Sequence, residues 1–290
     1  MSHGKAFFLA LMLPGTAFAQ DSGARAQGRD GVGRADGADA GSISENLAAA
    51  SLDPHYNVVT GAALGPDHHF RYHAGAIDTR TSVVSLGAGY YRLTDNVPPA
   101  SAELPGWMPP DEVFDNPAQH QGAFLGLAVP FLERKVSLSV TGRYDWENSI
   151  YGGKDTTFNF GFGAAVRPVE SLTFAAGIRD LLDTGYSRNA RRADLGVRFS
   201  SGPFIGVEAN AVAPLAGDYS LGAWGWHGGA DIGFTKWFTL RGGASFSHGV
   251  TSASAGIGLV SEHACLDYGM KIETKDPSRH WHALDLTVLF

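Results

Sequence analysis

Val136-Ser137-Leu138-Ser139-Val140-Thr141-Gly142-Arg143-Tyr144-Asp145-Trp146-Glu147 alternates from end to end. Val136, Leu138, Val140, Gly142, Tyr144 and Trp146 fall on one side of an extended chain, and the serines, Thr141, Arg143, Asp145 and Glu147 fall on the other, because successive β side chains point to opposite faces. The pattern recurs in 157–167, where Phe158, Phe160, Phe162, Ala164 and Val166 oppose Thr157, Asn159, Gly161, Gly163, Ala165 and Arg167. It recurs again in 238–247, with Phe238, Leu240, Gly242, Ala244 and Phe246 against Thr239, Arg241, Gly243, Ser245 and Ser247. Weaker copies lie at 56–64, 69–78, 83–93, 121–129, 171–180, 191–199, 203–213, 226–235, 252–260, 264–273 and 280–290. Together they predict about 14 strands, each near the roughly 10 residues that cross a bilayer when tilted.

Composition agrees with a β chain and removes other classes. The 290 residues include 38 Gly and 17 Phe, with 9 Tyr, 6 Trp and a single Cys. Glycine costs about 1 kcal/mol inside a helix, so this abundance argues against a mostly helical protein. The aromatics argue against disorder, one cysteine cannot make an internal disulfide, and a net charge of −7 does not suit a nucleic-acid partner.

Lys5 followed by the apolar run Ala6–Leu13, then Pro14-Gly15 and Ala17-Phe18-Ala19, reads as a secretory signal peptide spanning 1–19. No later stretch offers the roughly 18 to 20 apolar residues of a membrane-spanning helix, so any crossing is made by strands. Between the strands, six connections are short: Thr79–Ser82, Pro130–Lys135, Pro168–Glu170, Ser200–Gly202, Lys236-Trp237 and Ser261–His263. Most of those at the other ends are longer, such as Thr94–His120 and Leu181–Ala190, although Gly65–His68 is tight. Short periplasmic turns alternating with longer outer loops, and Tyr or Trp at strand ends, are marks of bacterial outer-membrane barrels. A soluble β-sandwich would carry polar residues on its outward face instead. Leu284, Leu286, Val288 and Phe290 end the chain on one face of a strand, a terminal-Phe signal of the kind read by the barrel assembly machinery. The expected fold is therefore all-β: a transmembrane antiparallel up-and-down β-barrel of about 14 strands, occupying 53–290 and exported to the bacterial outer membrane, with outer-membrane lipid around it.

Residues 20–52 are rich in Gly, Ala, Asp and Arg and cannot build a core alone. Ser42 with Glu45 three residues on permits a short capped helix, with an unstructured linker as the alternative. Gly31-Val32-Gly33-Arg34-Ala35, then Ala38-Asp39-Ala40-Gly41-Ser42-Ile43, then Glu45-Asn46-Leu47-Ala48 resembles the mature N-terminus of the fatty-acid transporter-like and PorV-like outer-membrane proteins, although Leu47 stands where that family usually has Pro. Phe174–Leu182 is similar to a strand of PorV-like chains, with Asp180 where an Asn is expected. The resemblance implies a 14-stranded barrel whose segment 20–52 folds back as a plug inside the lumen. It also implies a transporter or, as PorV-like adaptors do, a binder of exported proteins.

The alternation places Arg143, Asp145, Arg167, Arg179, Arg192, Asp194, Arg198, Glu208, Asp231, Arg241, Asp267, Lys271, Glu273 and Asp285 inside. Both signs in similar number suit a hydrated channel or an ion-paired wall against a polar plug. Arg34, Asp39 and Asn46 are the expected plug anchors, with Arg143, Asp145 and Arg241 as wall partners. Within the family resemblance, a sideways exit for hydrophobic solutes would be sought at Gly-rich or Pro-broken strands such as 121–130 and 203–214, where the glycines more readily serve tight packing and curvature. The long loop holding Trp107 and Met108 is a candidate lid or apolar ligand site. His68, His69, His73, His248, His263, His280 and His282 show no i, i+4 spacing, and no metal or cofactor is expected, beyond weak divalent binding at Asp67, His68 and His69. A lipid-modifying enzyme would need a Ser–His pair, yet no G-x-S-x-G elbow exists and Ser247 and His248 face opposite ways, so no catalytic residue is assigned. The reading is a plugged channel or transporter for small or hydrophobic solutes.

Overall fold

The computed structural model describes residues 24–27, 35, 41–66, 69–95, 118–148, 154–182, 191–202, 204–215, 223–247 and 249–290. Two short helices, α1 (Ala24–Gln27) and α2 (Gly41–Ala50), precede fourteen strands. These are β1 (Tyr56–Leu64), β2 (Phe70–Asp78), β3 (Ser85–Asp95), β4 (Ala118–Phe131), β5 (Val136–Asn148), β6 (Lys154–Val169), β7 (Leu172–Arg179), β8 (Arg192–Ser201), β9 (Ile205–Pro214), β10 (Gly225–Thr235), β11 (Phe238–Ser247), β12 (Val250–Val260), β13 (Ala264–Glu273) and β14 (His280–Leu289). Each pairs antiparallel with its neighbours in sequence, and β1 pairs with β14 from Asn57↔Leu289 to Leu64↔His282, closing the barrel. Closure leaves no edge strand, which is the condition for crossing a bilayer with strands. Among the described residues no helix is long and apolar enough to cross.

The alternation sorts the faces as the sequence implies. Along β5, Ser137, Ser139, Arg143 and Asp145 are buried while Leu138, Val140 and Tyr144 are exposed. The outer face shows Leu125, Leu127, Phe158, Phe162, Phe174, Leu195 and Phe234 to the surroundings. A continuous apolar exterior over a charged interior inverts a soluble protein and fits a lipid-facing wall. Interior charge is the reason the core is small: the buried apolar residues gather where α2 and the segment after it lie against the wall. Leu47 and Ala50 pack on Ile77 and Ala128, with Phe124 against them. Ala48, Ala49 and Leu52 pack with Ala35, Ala165 and Ala175.

Candidate functional site

The interior falls into a region that holds the N-terminal segment and a region held by charges. In the first, Asn46 breaks α2 with an extended backbone, φ −163° and ψ 89°. Its Nδ2 donates to the carbonyls of Ala164 and Ala176, at 3.3 and 3.1 Å, and its Oδ1 accepts from the Ala48 amide at 3.1 Å. Ala164 and Ala176 are register partners, so one side-chain amide bridges the β6–β7 seam. The approach needs glycine opposite: a Cβ on Gly163 would stand 2.4 Å from Asn46 Oδ1, and one on Gly126 would stand 2.7 Å from Leu47 Cδ2. Below this seat the chain is fastened at the ring's turn-bearing end. Ser51 Oγ lies 2.5 Å from Ser137 Oγ. The Arg134 guanidinium donates to the carbonyls of Ser51 and Thr79 at 2.8 and 2.7 Å. Arg167 forks onto Asp53 at 2.5 and 2.7 Å. Arg134 reaches there from a turn in which Leu132, Glu133 and Arg134 are all left-handed, with φ of 51°, 57° and 63°. Beside it, burial holds the His55 imidazole below its ordinary value of 6.5, against the opposing pull of the Asp53 carbonyl.

In the second region arginines bridge carboxylates from strand to strand. Arg198 reaches Glu208 at 3.4 Å and Asp231 at 3.2 Å, and Arg241 reaches Asp231 at 3.3 Å and also Asp267. Glu208 accepts in addition from the Ala35 amide at 2.9 Å, the one described point where residue 35 meets the charged wall by a hydrogen bond. A second cluster lies higher in the lumen. Arg143 pairs with Asp145 at 2.7 Å and Asp180 at 2.9 Å, and Arg179 forks onto Asp194 at 2.6 and 2.9 Å. Tyr91 Oη donates to Asp145 at 2.8 Å and lies 2.6 Å from His120 Nε2. All of these charges but the half-buried Arg198 are buried, and such groups persist in low dielectric only when paired.

Of the expected site residues, Asn46 is where the N-terminal segment meets the wall. Arg143, Asp145 and Arg241 line the lumen, with ion pairs to wall carboxylates or, for Asp145, to a wall arginine. Arg34, Asp39, Trp107 and Met108 lie outside the described residues, as do Asp67, His68 and the side chains of Ser42 and Glu45. The expected wall gap is not at 121–130 or 203–214: β4 and β9 pair with both neighbours along their lengths, and Pro130 and Pro214 sit at or next to strand ends. Among the described residues the regular β6–β7 ladder ends at Phe162↔Ile178, with the Leu181 amide still donating to the Phe160 carbonyl at 3.1 Å. β6 continues to Lys154, but β7 stops at Arg179, because Asp180 turns left-handed at φ 57°, a conformation Asn and Asp tolerate best among side chains other than glycine. Asn159 then stands in for the lost strand, its amide donating to the Leu182 carbonyl at 3.0 Å and its Oδ1 accepting from the Leu182 amide at 2.9 Å. A crevice of about 30 Å³ opens there, lined by inward Asn46, Ser139 and Arg143 and by outward Phe162 and Ile178. It has room for a water and not for an aromatic ring, which needs a cavity of about 150 Å³.

No family model matches the chain, and no curated protein matches it in sequence. Its three-dimensional likeness is extensive. The toluene transporter TodX of Pseudomonas putida superposes with a TM-score of 0.65 at 10% identity, over 93% of this chain and 97% of that one. This is the fold of outer-membrane hydrocarbon transporters. The toluene transporter TbuX of Ralstonia pickettii shares it at 0.64 and 10% identity, over 93% and 97%. A FadL homologue of Pseudomonas aeruginosa shares it at 0.59 and 11%, over 93% and 98%. The FadL-type barrel accordingly describes the architecture, in agreement with the resemblance carried by residues 31–48.

Proposed function

We propose that the protein is an outer-membrane transporter for small hydrophobic solutes, held closed in this conformation by residues 46–52. The observation that carries the reading is the seat of Asn46 and Leu47 on Gly163 and Gly126, with the Asn46 amide bonded across the β6–β7 seam, whose regular pairing ends at Phe162↔Ile178 among the described residues. Release of Asn46 would enlarge the crevice it lines beside Phe124, Phe160 and Phe162, giving an apolar solute a route along that aromatic side and past the Arg143, Arg179 and Asp180 that also line it. The neighbours named for toluene transport make a monoaromatic hydrocarbon the first solute to try. In this reading the chain is exported by its signal peptide, residues 20–52 plug the lumen from the periplasmic side, Phe290 is read by the assembly machinery, and the protein does no chemistry.

The test is conductance and toluene permeation of the refolded protein in bilayers, with and without 20–52. A quiet full-length barrel that opens on deletion, and then passes toluene, supports the reading. Silence in both, with a heat-modifiable band showing a folded barrel, refutes transport. That outcome would favour an adaptor for exported proteins, a reading that the ion-paired lumen also suits.

A further inference from the structure

On a β-strand two side chains share a face at i, i+2 rather than at the i, i+4 of a helix. His280 and His282 have that spacing at the start of β14. They lie on the outward face with Leu284 and Leu286, and their rings meet edge-on with centroids 5.2 Å apart. Both Nδ1 atoms are engaged. His280 Nδ1 donates to the Pro277 carbonyl at 3.3 Å, and His282 Nδ1 lies 2.6 Å from Tyr268 Oη, over which its ring stacks. With Nδ1 donating to the Pro277 carbonyl, neutral His280 presents its lone pair at Nε2, and His282 does the same in the tautomer that donates from Nδ1 to Tyr268 Oη, the arrangement by which outer partners orient metal-binding histidines. The third group is Met270, directly opposite His282 in the β13–β14 register and on the outward face with Leu266. Directly paired residues bring their Cβ atoms to about 4.5–5.5 Å, within reach of a shared ion.

We propose that His280, His282 and Met270 form a copper(I) site on the outer face of the barrel. Among the described residues no three His, Cys, Asp or Glu side chains gather round an ion, so a hard or highly charged cation finds no anionic cage here. Two imidazoles and a thioether are neutral and partly soft, the set that selects copper(I) over zinc, magnesium or calcium. A single positive charge also suits this place, since the desolvation cost of an ion beside lipid rises steeply with its charge. Asp267 and Glu273, the carboxylates three residues either side of Met270 on β13, belong to the opposite face, and Glu273 accepts from Arg279 at 3.1 Å. The inference needs only the outward face of β13–β14 and is independent of the transport reading.

The refolded full chain in detergent, kept anaerobic with ascorbate, is titrated with copper(I) against a colorimetric copper(I) chelator. The wild-type protein is expected to withhold one equivalent, His280→Gln/His282→Gln to withhold none, and Met270→Leu to hold it at least tenfold more weakly. A heat-modifiable band checks that each variant folds, which it should because no changed side chain enters the lumen. The proposal is overturned if the wild type withholds no copper, if the double variant withholds as much as the wild type, or if Met270→Leu binds equally well. Displacement of the bound copper(I) by an equal concentration of zinc(II) would overturn the ion's identity.

Discussion

The two regions of the lumen are built on opposite principles. At the level of residues 46–53 the wall of β3–β7 offers glycine and alanine to an apolar segment and holds Asn46, Ser51 and Asp53 by a few side-chain bonds, with the Arg143–Asp145–Asp180 cluster on the same strands above it. Across β8–β13 arginines knit carboxylates of neighbouring strands, with Arg198 and Arg241 each serving two acids. An apolar seat can be vacated at the cost of re-exposing a few side chains, and water can fill what is left. A buried charge lattice cannot open stepwise, because removing one member strands the others. The difference teaches where, on the transport reading, a gate belongs: at the seat of residues 46–53, with the lattice across β8–β13 as the frame.

Breaking the frame should give the largest effect. Arg241→Leu leaves Asp231 and Asp267 short of a buried partner and should cost about 3–5 kcal/mol. The loss would appear as a lower unfolding temperature of the heat-modifiable band; an unchanged temperature would deny the lattice its structural role. On the seat side the effect should spare the barrel. Leu47 is fully buried, and Leu47→Ala should weaken the segment's hold by about 2–5 kcal/mol, raising open-channel conductance while the barrel melts as before. Parallel loss of barrel stability would merge the two regions into one.

Gly163→Ala sharpens the contrast at a single contact. Its methyl collides with Asn46 Oδ1 and Ser139 Oγ, and should displace the Asn46 amide at a cost of about 1–3 kcal/mol, again seen as conductance. Asn46→Ala made alongside should recover part of that cost, a non-additivity of about 0.5–3 kcal/mol expected only if the two residues touch. Smaller still, Arg134→Gln with Arg167→Gln should loosen the fastening by roughly 1 kcal/mol per arginine, since both bonds are partly open to solvent. Faster protease cleavage before residue 53, with the barrel intact, is the readout; equal cleavage would show that the fastening is redundant.

The smallest effect follows from His55. Its value is depressed by burial below 6.5, so the released linker binds the proton more readily than the docked one. Docking should therefore be strongest above about pH 6.5 and weaken as pH falls through the lower docked value. Cleavage before residue 53 should quicken on acidification, and His55→Gln should flatten the trend.

The frame was far more legible in the sequence than the seat. Alternation is a property of neighbours in the chain, so all fourteen strands and the inward charges could be read from residue order, with the ends of β4, β5 and β6 running longer than expected. The seat depends on which strands the closed ring brings under residues 46–52, and nothing local sets that. Gly126 reads as a glycine for packing or curvature and Gly163 as one more inward position, and only their distances to Leu47 and Asn46 reveal both as clearance. Asp180 resembled a variant of a family Asn, and its left-handed φ explains why either residue serves and why the seam stops there instead of at the prolines of β4 or β9. Arg134 carried no signal at all, since its reach depends on a left-handed turn of three residues without glycine. The i, i+4 spacing that marks a metal site on a helix has no bearing on His280 and His282, which sit on a strand.

A hydrogen atom is the smallest group a side-chain position can hold, and positions 126 and 163 already hold it. Every substitution there, in the laboratory or in a genome, pushes the segment away, and none draws it in. On the transport reading, closure therefore sits at one end of the molecule's mutational range. A population selected for uptake has single-nucleotide routes to a leakier barrel at either codon, while a tighter one has to be found elsewhere in the chain.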